Sequence, residues 1–139
     1  MHLPLFVANG VTSVRDMMGC PGEKDSLIAC NADKRRWNSA VRGGRLASPR
    51  FVSVASYYFD NPELTPAEVS LRSRAAAAAG TDELKVYNRL SRAAYARVAH
   101  EARRTGMRLV GHLPKAISLE EALAANGVRL AGDVIVRCC

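Results

Sequence analysis

Two residues in this sequence combine reactive side chains with matched places in the chain. Lys85 lies in "DELKVYN", residues 82–88, a short run whose Leu84 and Val86 call for burial. An ammonium inside such a strand is costly unless something compensates it. His112 lies in "RLVGHLP", residues 108–114, which reads as the following strand. Alternate residues of a strand share a face, so Lys85 and Tyr87 point one way and Leu84 and Val86 the other. By the same alternation Val110 and His112 share a face opposite Leu109 and Leu113. Lys85 and His112 both fall near strand C-terminal ends, where α/β folds build their sites. Neighbouring parallel strands lie about 4.8 Å apart, so at equivalent heights the two side chains could meet around one ion. Neutral imidazole is a common zinc ligand. A desolvated, partly neutral lysine can add carbon dioxide and become a carbamate, an anion able to bridge two metals. The ordinary alternatives are a lysine snorkelling to solvent and a histidine hydrogen-bonded in a loop.

The elements around them follow from local signals. Residues 2–9 read as a helix end with Gly10 behind it, and 11–17 as a β-branched strand. A helix is expected over 33–48, with Trp37, Val41 and Ala40 on its buried face and Gly43-Gly44 fraying it. Residues 50–59 form the next expected strand. Thr65, Pro66 and Glu68 then announce a helix through N-cap, first-position proline and capping box, and Gly80 ends it. After "DELKVYN" comes a helix capped by Ser91 and Gly106. After "RLVGHLP" comes another, opened by a Ser118–Glu121 capping box, and residues 128–136 suggest a further strand. Strands alternating with helices imply parallel βαβ units. No G-x-G-x-x-G follows a strand and no G-x-x-x-x-G-K-[ST] occurs, which demotes a nucleotide-binding sheet.

Composition narrows the rest. The 139 residues suffice for one domain with a core, and 48% hydrophobic with 24% charged residues are globular values. No apolar run approaches the roughly 20 residues of a membrane span, and "MHLPLFVANG" is not read as a signal peptide. The net charge of +7 is spread over sites such as Lys34-Arg35-Arg36, Arg72 and Arg74, and Arg103-Arg104. That spacing suits solvated helix faces better than a nucleic-acid stripe. A basic nucleic-acid-binding domain is accordingly the weakest of the functional readings. Cys20, Cys30, Cys138 and Cys139 form no C-x-x-C pair, which speaks against a structural zinc site. Free thiols in a reducing, cytoplasmic setting are the simpler expectation, with a disulfide framework left open.

Four blocks, "LPLFVANGVTSVRDMMG", "RWNSAVRGGRLASPR", "ELKVYNRLSRAAYARVAHEARRTG" and "VGHLPKAISLEEALAANGV", together resemble the amidohydrolase superfamily. The imidazolonepropionase-like and Xaa-Pro-dipeptidase-like hydrolases are the branch most similar. The likeness runs over about residues 2–128 of the single domain 1–139, and residues 129–139 diverge. It implies a partial (β/α)8 TIM barrel, about its second to sixth strands. It also implies one or two divalent metals, zinc by family default, held at the strand ends. By the same resemblance Lys85 is the lysine of the family's fourth strand, carboxylated in two-metal members, and His112 the histidine of its fifth. Tyr87 would contact the substrate, a small molecule such as a dipeptide or cyclic amide. Arg15 and Asp16 would support the rim of the site without touching metal. The implied reaction is hydrolysis of an amide or other C–N bond by metal-activated water.

Departures from the family pattern set limits. The His-x-His of the family's first strand, the histidine of its sixth and the aspartate of its eighth have no counterpart. Gly132 and Asp133 stand where the family has glutamate and histidine. A full barrel takes about 250 residues. The sequence is therefore expected to be a barrel fragment, inactive alone and prone to self-association through its open edges. A non-catalytic, self-associating half-barrel is the alternative.

Overall fold

The computed structural model describes residues 2–20 and 28–126. Nine elements alternate along it: α1 (Leu3–Ala8), β1 (Ser13–Asp16), α2 (Asn31–Arg42), β2 (Arg50–Val54), α3 (Pro66–Ala78), β3 (Glu83–Val86), α4 (Arg92–Thr105), β4 (Arg108–Gly111) and α5 (Leu119–Asn126). The expected strand at 128–136, with Asp133 and the terminal cysteines, lies outside the described residues.

The caps form as the sequence dictates. Thr65 Oγ1 accepts from the Glu68 amide at 3.3 Å while Glu68 Oε2 accepts from the Thr65 amide at 2.8 Å, closing the capping box of α3. The same reciprocal pair joins Ser118 and Glu121 ahead of α5. Ser91 caps α4, and Gly106 ends it at φ +73°. In α2 the expected boundaries shift: the helix starts at Asn31, stops at Arg42, and buries Asn31 and Lys34 beside a partly covered Trp37.

All strand pairings are parallel. β1 pairs with β2 and β3 with β4. The two pairs are joined by bridges from Ala55 to Glu83 and from Phe59 to Val86. Ser56 N–H donates to Glu83 O (2.8 Å), Phe59 N–H to Lys85 O (2.8 Å) and Tyr87 N–H to Phe59 O (2.9 Å). Four steps from 55 to 59 thus match three from 83 to 86, and the extra residue pushes Tyr57 and Tyr58 out of the strand line. This is why the strand expected over 50–59 is regular only to Val54. The spatial order is β1-β2-β3-β4, each strand beside its sequence neighbour.

Alternation then sorts the faces. Leu84, Val86 and Phe59 meet Val69 of α3, Ala94, Val98 and Ala102 of α4, and Ala122 of α5 in the main core. Each such large apolar side chain contributes roughly 1.5–3 kcal/mol by burial. A smaller cluster gathers Leu3, Phe51 and Val54 against Trp37 and Leu46. Glu83 and Lys85 occupy the other set of β3 positions. Glu83 is fully buried and ion-paired to Arg15 of β1 (3.0 Å) and to Arg108 of β4, so one carboxylate ties three strands together.

Candidate functional site

Parallel strands bring their C-terminal ends to one edge of a sheet, and on that edge the described residues place a cluster of polar and aromatic side chains. Lys85 is 8% exposed. Its backbone N–H donates to Ser56 Oγ at 3.0 Å, and its ammonium lies 5.8 Å from the Tyr87 ring centre. Among the described residues that ammonium has no hydrogen-bond or ion-pair partner. Burial lowers its pKa from the ordinary lysine value, against the opposing charges of Asp16 and Tyr58.

His112 follows Gly111, whose φ of +122° and close contact with β3 admit no side chain: a Cβ there would lie 2.1 Å from Val86 O. The His112 amide donates to Val86 O at 3.1 Å. Among the described residues its Nδ1 is buried and without a partner, an unusual state for an imidazole nitrogen. The His112 and Tyr87 ring centres are 4.0 Å apart. Tyr58 continues the row, 5.5 Å from Tyr87 and stacked on Tyr57 at 4.5 Å.

The expected equal height of Lys85 and His112 is corrected by the register. Lys85 stands opposite Val110, and Val86 opposite Gly111, so the residue facing His112 is Tyr87. Lys85 and His112 are diagonal neighbours, two residues out of step, a separation that long side chains can still span. Arg15 and Asp16 hold supporting places. Arg15 binds Glu83, and Asp16 accepts from the Met18 amide (2.9 Å) and pairs with Lys34.

Lys34 overturns its assignment to a solvated helix face. It is 1% exposed, with its ammonium 2.5 Å from Asp16 and 3.0 Å from Met18 O. The thiol expectation is also corrected, because Cys20 and Cys30 form a disulfide. The exit from β1 and the start of α2 meet there, with the two Cα atoms 4.8 Å apart. Sequence reasoning also missed Glu83, although its place two residues before Lys85 put it on the same face. Tyr58, visible in "ASYYF", was absorbed into a strand. Asp60 went unnoticed too; it accepts from the Arg89 backbone N–H (3.0 Å) and Nε (2.8 Å), joining the loops behind β2 and β3.

The donor set bears on a metal. Lys85 and His112 offer two unpartnered groups on one edge, which fits part of a ligand shell. No group of three or more His, Cys, Asp or Glu that could hold an ion occurs among the described residues, and zinc ordinarily takes four ligands. Among the same residues no helix is long and apolar enough to cross a membrane.

In fold the chain is similar to a solved bottromycin amidohydrolase, with a TM-score of 0.62 and 23% identity over 88% of this chain. The chain spans 27% of that protein's length. No protein-family model matches the sequence, and no curated protein does.

Proposed function

We propose that this chain is a piece of a metal-dependent hydrolase of amidohydrolase type, an arc of a (β/α)8 barrel that contributes Lys85 and His112 to the metal site. The observation that carries this reading is the pairing of a buried, unpartnered lysine with a buried, unpartnered imidazole nitrogen on neighbouring parallel strand ends. The strand order and the likeness in fold to an amidohydrolase support it. The neutral Lys85 amine adds carbon dioxide at Nζ and releases one proton. The resulting carbamate and His112 Nδ1 would be the two groups this chain offers a metal. A divalent metal, zinc by preference, would lower the pKa of a water and polarise the scissile carbonyl. Tyr87 walls the side of the site next to His112 and orients an amide or cyclic-amide substrate. Two ligands among the described residues fall short of the four that zinc ordinarily takes.

Elemental mass spectrometry of the purified chain after exposure to zinc and bicarbonate tests the reading. Bound zinc that disappears in both Lys85→Ala and His112→Ala is the expected result. Zinc retained in both variants would overturn the ligand assignment. A second reading, a self-associating half-barrel, draws on exposed apolar residues of α1, Leu5 at 59% and Phe6 at 45%. It predicts a discrete dimer in sedimentation that Leu5→Lys dissociates; a monomer at all concentrations refutes it.

A further inference from the structure

We propose that the Cys20–Cys30 disulfide is a redox-exchangeable clamp on the first turn of α2, and that a small dithiol releases this turn while the rest of the helix stays docked. None of the residues involved is Lys85, Tyr87 or His112, so the clamp does not depend on the proposed metal site.

The two halves of α2 are held by different means. The C-terminal half is anchored on β2. Asn38 Nδ2 donates to Phe51 O, and Asn38 Oδ1 accepts from the Phe51 amide, both at 2.8 Å. The Trp37 and Phe51 ring centres lie 5.7 Å apart within the smaller apolar cluster. The N-terminal half lacks such a footing. The buried side chains of α2 are Asn31 and Lys34, both polar, whereas α4 buries Ala94, Tyr95, Val98, Ala99 and Ala102. Desolvating polar groups opposes docking unless partners replace the lost water. Lys34 finds partners in Asp16 at 2.5 Å and Met18 O at 3.0 Å. Asn31 finds fewer: its Nδ2 donates to Thr81 Oγ1 at 2.7 Å, but its Oδ1 is buried with no partner among the described residues. Water satisfies that oxygen as soon as the turn lifts.

A covalent tie holds the turn against these costs. Asp16, Met18 and Cys20 lie on the exit from β1, and Cys30 and Lys34 at the start of α2 meet them. The disulfide and the ion pair therefore fasten the same two segments. With the disulfide closed, Lys34 is presented to Asp16 at high effective concentration. With it open, the pair has to form against the desolvation of an ammonium that is 1% exposed when docked.

The sulfurs can be reached without unfolding. Cys20 and Cys30 are both half-buried and line the cleft between α2 and α3, which encloses about 390 Å³. A thiolate of the dithiol attacks one sulfur of the pair, forming a mixed disulfide and releasing the other cysteine as a thiolate. The second thiolate of the dithiol then displaces the remaining cysteine and closes the reductant's own disulfide. Two electrons and two protons pass from the dithiol to the protein, and both cysteines end as thiols.

The test is amide hydrogen exchange of the full chain before and after dithiothreitol, in a Cys138→Ser, Cys139→Ser background so that one cysteine pair reports. Reduction is expected to lower protection about tenfold or more at the Lys34 and Arg35 amides. Val41 and Arg42 of α2, and Val98 and Ala102 of α4, should keep theirs. Cys20→Ser should reproduce this pattern without reductant, and reoxidation of the parent should reverse it. Full protection at Lys34 and Arg35 in the reduced or Cys20→Ser chain, an equal loss in α4, or a disulfide that dithiothreitol opens only in denaturing urea would overturn the proposal.

Discussion

Replacing Gly111 by alanine strikes the contact that sets His112 against β3. The new Cβ would sit 2.1 Å from Val86 O and 3.0 Å from Val86 N, and both are backbone atoms that cannot turn aside. The residue would also keep φ near +122°, a conformation that costs a side-chain-bearing residue about 1–3 kcal/mol. Relief requires β4 to move away from β3 at that point. The His112-to-Val86 hydrogen bond, 3.1 Å long, is lost at about 1 kcal/mol. Together these give about 2–4 kcal/mol, a large share of an ordinary domain's 5–15 kcal/mol. Gly44→Ala is the matched control. Gly44 also has positive φ (+67°), but a Cβ there would meet nothing within 4 Å, so only the conformational cost applies. Urea unfolding followed by circular dichroism reads both. Gly111→Ala is expected to lose at least about 1 kcal/mol more than Gly44→Ala, the worth of the lost hydrogen bond before the clash is added. Equal losses would show that the strand approach at Gly111 does not constrain the fold.

Three further expectations follow from named groups. Lys85 is held below the ordinary lysine pKa, so its charged form weakens the fold at every pH below its lowered value, and the penalty fades as pH rises through the ordinary range. Lys85→Met should therefore melt higher than the parent at neutral pH and lose that advantage in strong alkali; a lower melting point at neutral pH would contradict it. Burial raises the pKa of Glu101, but Arg104, Ser70 and Arg97 outweigh it and hold the carboxyl below its usual value. Its contribution is present above the ordinary carboxylate range and is lost as pH falls through the lowered value. Glu101→Gln should flatten that part of the acid stability profile, and an unchanged slope would count against the pairing. Reduction of Cys20–Cys30, which spans 10 residues, should remove about 3 kcal/mol on the chain-entropy account; coincident urea curves with and without reductant would refute a stabilising role.

Most of the elements were legible because local chemistry decides them. Thr65 with Glu68, Ser91, and Ser118 with Glu121 mark helix starts through hydrogen bonds made within four residues. Gly80 and Gly106 mark ends through their own backbone freedom. Alternation in "DELKVYN" likewise separated Leu84 and Val86 from Lys85. What sequence could not supply was long-range pairing. The stagger that sets Tyr87, rather than Lys85, opposite His112 depends on how β3 and β4 slide together, and nothing inside either strand encodes it. Lys34 looks like its neighbours Arg35 and Arg36 until β1 delivers Asp16 to it. Cys20 and Cys30 carry no spacing signal, and only the return of the chain from β1 to α2 joins them.

The two buried lysines show what this arrangement does to an ammonium. Lys34, 1% exposed, has both a carboxylate and a carbonyl oxygen to replace the water it gave up. Lys85 is almost as deep and, among the described residues, has neither. Asp16 is the strongest opposing charge acting on Lys85, but its carboxylate is engaged by Lys34 and by the Met18 amide. A paired lysine stays charged and serves the fold, whereas an unpaired one is pushed toward the neutral amine. On the proposed reading the Lys34–Asp16 pair leaves Lys85 without a direct partner, and the neutral amine is the form that takes up carbon dioxide. Carbon-13 NMR after labelled bicarbonate would distinguish the two lysines directly. A carbamate signal that Lys85→Ala removes and Lys34→Arg leaves in place is the outcome this reasoning requires; no signal in the parent chain would refute it.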